Sequence, residues 1–273
     1  MALAIVSGAQ AAQPTVALGT TQSFAVLAGS GITNTGPTTV SGTAGGDMGS
    51  SPTASFTGEA DVTTTGTKYT SAATAVDNAK SDLVLAYDDA AGRTPVNTVS
   101  ADLGGQTLTA GVYNSASSLG LTGVLTLDGE DNADAVFIFQ AGSTLTTASA
   151  SSVVLINGAQ PCNVFWQVGS SATFGTTTDF VGHVFALTSI TANNRATFDG
   201  QLLARNGAVT LNENTITNDL CAEVTPSPTP TETTDNGGEL PNTDTTDWLF
   251  PLAAGLALVA IGAGVVIARR KRS

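Results

Sequence analysis

The residues able to do acid–base, nucleophilic or metal chemistry are few and scattered. The 273-residue chain carries one histidine, His183, and two cysteines, Cys162 and Cys221. A catalytic triad needs a nucleophile, a base within hydrogen-bond reach and a third group that orients the base. Nothing in the sequence beside His183 supplies these partners, and the residue reads as a corner position of the fold. Zinc sites gather Cys and His at short spacings, and the chain has no CxxC pair. Glu130, Asp131 and Asp134 form an acidic cluster without the spacing of an EF-hand, so they read as a solvated loop. The chemistry on offer points to a non-enzymatic protein with no cofactor and no metal. Its abundant Thr, Ser, Gly, Ala and Val suit pleated strands and tight turns.

Charge narrows the partners. The net charge is −13, and four of the nine basic residues are Arg269, Arg270, Lys271 and Arg272 at the extreme C-terminus. Between residues 12 and 222 only Lys68, Lys80, Arg93, Arg195 and Arg205 stand against 16 acids. Phosphate backbones require clustered cations, so nucleic acid is excluded as a partner.

The two ends point to export. Leu3, Ala4, Ile5 and Val6 resemble the tail of an apolar signal sequence, and Ala9-Gln10-Ala11 fits its cleavage site, so residues 1–11 read as a truncated signal-peptide remnant. Residues 223–239 are rich in Pro, Thr, Ser and acids and poor in apolar side chains, which predicts a disordered stalk. Residues 240–273 open with Leu240-Pro241-Asn242-Thr243-Asp244. An uncharged apolar run over 248–268, long enough to cross a bilayer as a helix, follows, and then a basic stop. This order resembles a sortase sorting signal of Gram-positive bacteria, which implies cleavage after Thr243 and attachment to peptidoglycan, or retention by the membrane span. Asp244 stands where that family has Gly. An exported chain with two cysteines permits a Cys162–Cys221 disulfide.

Between these ends, residues 12–222 form the folded body. Apolar residues at Ala72, Val76, Ala79, Leu83, Ala86 or Tyr87, and Ala90 make a single stripe at spacings of three and four, which predicts one helix over residues 69–91 stopped by Gly92. The remainder reads as short strands separated by turn residues, such as Ala135–Gln140, Ser152–Ile156 and Asn163–Val168. Val181–Leu187 is echoed by Asp199–Arg205 at an offset of 18, and Ser189-Ile190-Thr191 by Ala208-Val209-Thr210 at 19. A short period of this kind marks a solenoid whose coils stack as parallel strands, with Val184, Phe185, Ile190, Leu202, Leu203 and Val209 facing inward. A β-sandwich is the competing architecture, but its antiparallel hairpins require no such echo.

Several long segments carry a family resemblance. Leu18–Gly36, Ala101–Tyr113, Ala133–Leu145, Asn163–Gly175 and Leu202–Thr217 occur in the order found in the DUF3494 ice-binding-like family. The resemblance covers residues 18–218. It implies a mostly β chain: a discontinuous right-handed β-solenoid of triangular section with one long α-helix alongside. It also implies an ice crystal surface as partner, met by one flat face rich in threonine. Thr191-Ala192-Asn193-Asn194 matches a short motif of some members, and Thr146-Thr147-Ala148-Ser149 and Thr176-Thr177-Thr178-Asp179 are looser analogues. The expected ice-contact residues are therefore Thr146, Thr176, Thr178, Thr191 and Asn193. Asp179, Arg195 and Glu213 neighbour these segments and would interrupt an ice-like water array. The alternative is a surface adhesin that binds glycan or protein ligands with the same scaffold. Polysaccharide lyases also use solenoids, but fold alone does not license their activity.

Overall fold

A computed structural model describes residues 13–222 other than Pro95. The signal remnant at 1–11, the stalk, the sorting motif and the apolar run over 248–268 all lie outside the described residues. Among the described residues, no helix is long and apolar enough to cross a membrane.

Short β-branched runs broken by turn residues cannot each bury a face alone, so they stack. The result is three sheets in which every strand pairing is parallel. The first sheet runs in the order Asp47–Ser50, Phe24–Ala28, Leu202–Ala204, His183–Ala186, Val164–Val168, Phe137–Ala141, Gly111–Ser115, Asn97–Thr98. The second runs Leu119–Leu121, Leu145–Thr147, Ala172–Phe174, Ile190–Ala192, Ala208–Asn212, Gly31–Thr35, Phe56–Thr57. The third runs Val62–Thr64, Thr38–Ser41, Thr215–Thr217, Thr197–Asp199, Asp179–Val181, Ser152–Ile156, Val124–Asp128, Thr107–Thr109. Each coil contributes one strand to each sheet, which is the three-sided β-solenoid that the 18-residue echo requires. The echo is itself a pairing, since Val184 sits beside Leu202 and Thr191 beside Thr210.

The solenoid is discontinuous. The coil formed by residues 24–41 stacks against the last coil of the body: Val26 pairs with Leu202, Ile32 with Val209 and Val40 with Ile216. The helix Thr74–Gly92 then carries the chain to the opposite end. Nineteen residues span about 28 Å as a helix, which is close to the height of seven stacked strands at ~4.8 Å each. It starts five residues later than the apolar stripe suggested, and Val76, Ala79, Leu83, Ala86, Tyr87 and Ala90 are its buried face.

That face lies on the outer side of the first sheet and corrects the expected core. Strand side chains alternate between faces, so neighbours such as Val184 and Phe185 cannot both point inward. Val184, Leu202, Ile190 and Val209 fill the interior, where Tyr113, Phe139 and Trp166 stack with centroid separations of 5.4 and 4.0 Å. Phe185 and Leu203 instead point outward and pack with Phe24, Leu27, Ile138 and Phe165 beneath the helix. Polar ties fix the docking. Lys80 donates to the carbonyls of Ala204 and Arg205, Gln140 Nε2 donates to the Ala90 carbonyl, and the Arg205 guanidinium lies 4.6 Å over the Tyr87 ring.

Candidate functional site

Helix burial removes the first sheet from consideration as a binding face. The second and third sheets present their outer surfaces to solvent, and they differ in chemistry.

In the second sheet, alternation sends Leu119, Leu145, Ile190, Val209 and Ile32 inward and leaves the residue after each facing out. Those outward residues are in register: Gly120 pairs with Thr146, Thr146 with Thr173, Thr173 with Thr191, Thr191 with Thr210, Thr210 with Thr33, and Thr33 with Thr57. The ladder of threonines from Thr146 to Thr57 is unbroken over six coils, about 24 Å at the strand spacing. A rank of small residues flanks it on one side, including Thr144, Ser171, Ser189, Ala208 and Gly31. Asn193, Asn212 and Thr35 follow two residues on at the other. No charged residue falls within the seven strands. Threonine has restricted χ1 freedom, so parallel register converts the ladder into a fixed array of methyls and hydroxyls.

The third sheet has a shorter run of threonines, with a carboxylate at one end. Its corresponding column reads Val124, Ser152, Asp179, Thr197, Thr215, Thr39, Thr63, and Asp128 and Asp199 add further carboxylates. Asp179 accepts a 2.6 Å hydrogen bond from the Thr197 hydroxyl on this sheet, so it does not touch the threonine ladder. Arg195 and Glu213 occupy the corner between the two sheets, where both have positive φ and pair with each other at 3.0 Å. The charges expected to spoil the threonine face thus stand beside it, and two of them neutralise one another.

The five residues expected at the contact separate in the structure. Thr146 and Thr191 belong to the ladder, and Asn193 lies at its edge. Thr176 sits exposed in the turn after Ala172–Phe174. Thr178 is fully buried, its hydroxyl 2.9 Å from that of Thr147 and donating to the Ala148 carbonyl, so it fixes the corner from inside and is not part of an outer surface. Thr33, Thr57, Thr173 and Thr210 complete the ladder and were not singled out by motif. The signal for them is the outward position after an inward apolar residue, here Ile32, Phe56, Ala172 and Val209.

The remaining candidates for chemistry lie elsewhere. Cys162 and Cys221 form a disulfide with a Cα–Cα distance of 5.4 Å. It lines a cavity of about 490 Å³ with His183, Asn163, Asn218, Leu18 and Leu220. His183 opens the strand His183–Ala186, is 3% exposed and stacks on Phe165 at 5.2 Å. Burial holds its pKa down at about 4. Asp199 is displaced the opposite way, to about 6, by burial and then by Asp219 and Asp179. Among the described residues no three His, Cys, Asp or Glu side chains are grouped to hold a metal ion.

These two groups oppose each other in acid. The unfolded chain protonates His183 near pH 6.5 and the folded chain near 4, so His183 costs stability as pH falls across that interval. Asp199 binds its proton more readily when folded, so it adds stability as pH falls from about 6 towards 4. The native protein is therefore expected to change little in Tm between pH 6.5 and 4, whereas Asp199→Asn should lose Tm steadily over the same range. An NMR titration of the single imidazole that showed protonation near pH 6.5 would refute this account.

Comparisons with known proteins identify the family. The family model described as Ice-binding-like matches residues 26–217. An ice-binding protein of Nostoc sp. (strain HG1) is 48% identical over 203 residues, which cover 74% of this chain and 73% of that protein. The crystal structure of an ice binding protein from an Antarctic biological consortium superposes with a TM-score of 0.73 at 44% identity, covering 76% of this chain and 93% of the other. That of an ice-binding protein from the ascomycete Antarctomyces psychrotrophicus gives 0.69 at 41% identity, covering 74% and 98%. The chain belongs to the ice-binding-like family.

Proposed function

We propose that the protein binds ice through its second sheet. The observation that carries this reading is the unbroken register Thr146, Thr173, Thr191, Thr210, Thr33, Thr57 on strands that contain no charged residue. A crystal surface presents a rigid periodic lattice. A protein surface complements it when its own groups are periodic and stiff and hold no tightly bound, liquid-like hydration. The ladder supplies one period at ~4.8 Å between coils and a second at ~6.6 Å between ranks along each strand. Relatives carrying the name ice-binding protein support the same reading. Fluorescently labelled protein applied to a growing ice hemisphere should concentrate in the ice. Exclusion of the label from the ice, with the protein folded, would transfer the face to a glycan or protein ligand.

Export and surface attachment form the second part of the proposal. Leu240-Pro241-Asn242-Thr243-Asp244, the apolar run over 248–268 and the basic end support anchoring through Thr243 by a sortase. The disulfide is in keeping with an oxidising compartment. Cells lacking sortase should release the protein from the wall fraction. An unchanged wall-bound amount would favour retention by the membrane span alone.

A further inference from the structure

The threonine ladder does not run the full height of the sheet. Its next position is Gly120, and beyond Gly120 the chain places Asp102 in a parallel bridge. The two sit in one column, since Leu119, Leu121 and Leu103 are buried and the residue between or before them faces out. A Cβ built on Gly120 would stand 3.9 Å from the Asp102 Cγ and 3.3 Å from the Ala101 carbonyl oxygen. The Asp102 side chain therefore lies within van der Waals distance of the place a seventh side chain would occupy.

It is fixed there. Asp102 Oδ1 accepts the backbone N–H of Gly104 and that of Thr122, each at 2.9 Å. Those donors, Gly104 first, hold the carboxyl below the usual carboxylate range. The group is exposed, and an ionised carboxylate retains its hydration shell unless paired.

We propose that Asp102 is the residue that sets where the ice-contacting array ends, so that the contact is confined to the coils between Thr146 and Thr57. This rests on the reading of the second sheet as the ice face. On that reading the Gly120 end of the sheet meets liquid water, and the protein engages ice with only part of its height.

Asp102→Asn is the discriminating change. The amide oxygen can still accept both backbone N–H bonds, so the turn is kept while the charge is removed. In ice-recrystallisation assays on the full chain, Asp102→Asn should lower the effective concentration by about two-fold or more, because the contact no longer has to exclude a hydrated carboxylate. Asp102→Glu, which keeps a charge, should give no gain. Thr191→Tyr serves as the internal reference. If Thr191→Tyr abolishes activity while Asp102→Asn matches the native chain, Asp102 does not bound the array and the ice face stands. If Asp102→Glu gains as much as Asp102→Asn, packing and not charge is responsible and the proposal is overturned. If Thr191→Tyr leaves activity untouched, the second sheet is not the contact, and the reading of the face falls together with this inference.

Discussion

Replacing Thr191 by Tyr is expected to abolish inhibition of ice recrystallisation while leaving the thermal midpoint within about 2 °C of the native value, as surface substitutions typically do. Thr191 stands in the middle of the ladder, with Thr173 on one side and Thr210 on the other in direct register. Its side chain faces out, and its neighbours Ile190 and Ala192 are the ones buried. Tyr is well tolerated on a strand exterior, so the fold is kept. The ring, however, raises a step on a surface whose action depends on contact with a planar lattice across many small groups. Losing a fraction of that contact equivalent to 1.4 kcal/mol already costs about ten-fold in affinity. Thr191→Ser keeps the outline flat and should change activity far less. Both variants are read in the same recrystallisation assay, with circular dichroism melts as the control. Equal potency of native and Tyr proteins would exclude this face.

Reducing the Cys162–Cys221 bond, or replacing Cys221 by Ser, should lower stability by about 4 kcal/mol, the chain-entropy value for a loop of this size. For a body of this length the midpoint should fall by roughly 10 °C. The segment before Cys221 is also held by contacts that do not involve the bond. Thr215–Thr217 lies between Thr197–Asp199 and Thr38–Ser41, and Asn218 Nδ2 donates to the carbonyls of Gln22 and Gly45. The loss therefore arises mainly from the freedom regained by the unfolded chain. Thermal melts with and without a phosphine reductant measure it, and titration of the denatured, unreduced protein should find no free thiol. An unchanged midpoint on reduction would show that the bond contributes little.

Much of the architecture was legible because it repeats. Val181–Leu187 and Asp199–Arg205 share a pattern at 18 residues because they stack in adjacent coils, and the helix announced itself by Val76, Ala79, Leu83 and Ala90. The disulfide followed from having only two cysteines. The site was half legible. Thr146 and Thr191 emerged from a motif, but Thr33 and Thr57 could not, since they join the ladder through a pairing of Thr33 with Thr210 that no local period encodes. Thr173 sits in Ser-Ala-Thr-Phe and resembles no motif. Thr178 turns inward because the turn at Thr176 and Thr177, where Thr177 has φ 55°, resets the in–out alternation. Phe185 and Leu203 carry the pattern of interior residues because the helix hides the outer side of their sheet as completely as the core hides the inner one.

The stacking order has a consequence for how the molecule is made. Phe24–Ala28, Gly31–Thr35 and Thr38–Ser41 emerge early from the ribosome and on one side pair with Asp47–Ser50, Phe56–Thr57 and Val62–Thr64, made soon after, but on the other they pair with Leu202–Ala204, Ala208–Asn212 and Thr215–Thr217 at the far end of the folded body. The earliest coil must wait for almost the whole body before its second set of pairings can form, and closing so long a loop makes that step slow. A partly synthesised chain therefore cannot close the seam between its first and last coils, however much of the rest of the stack has already formed.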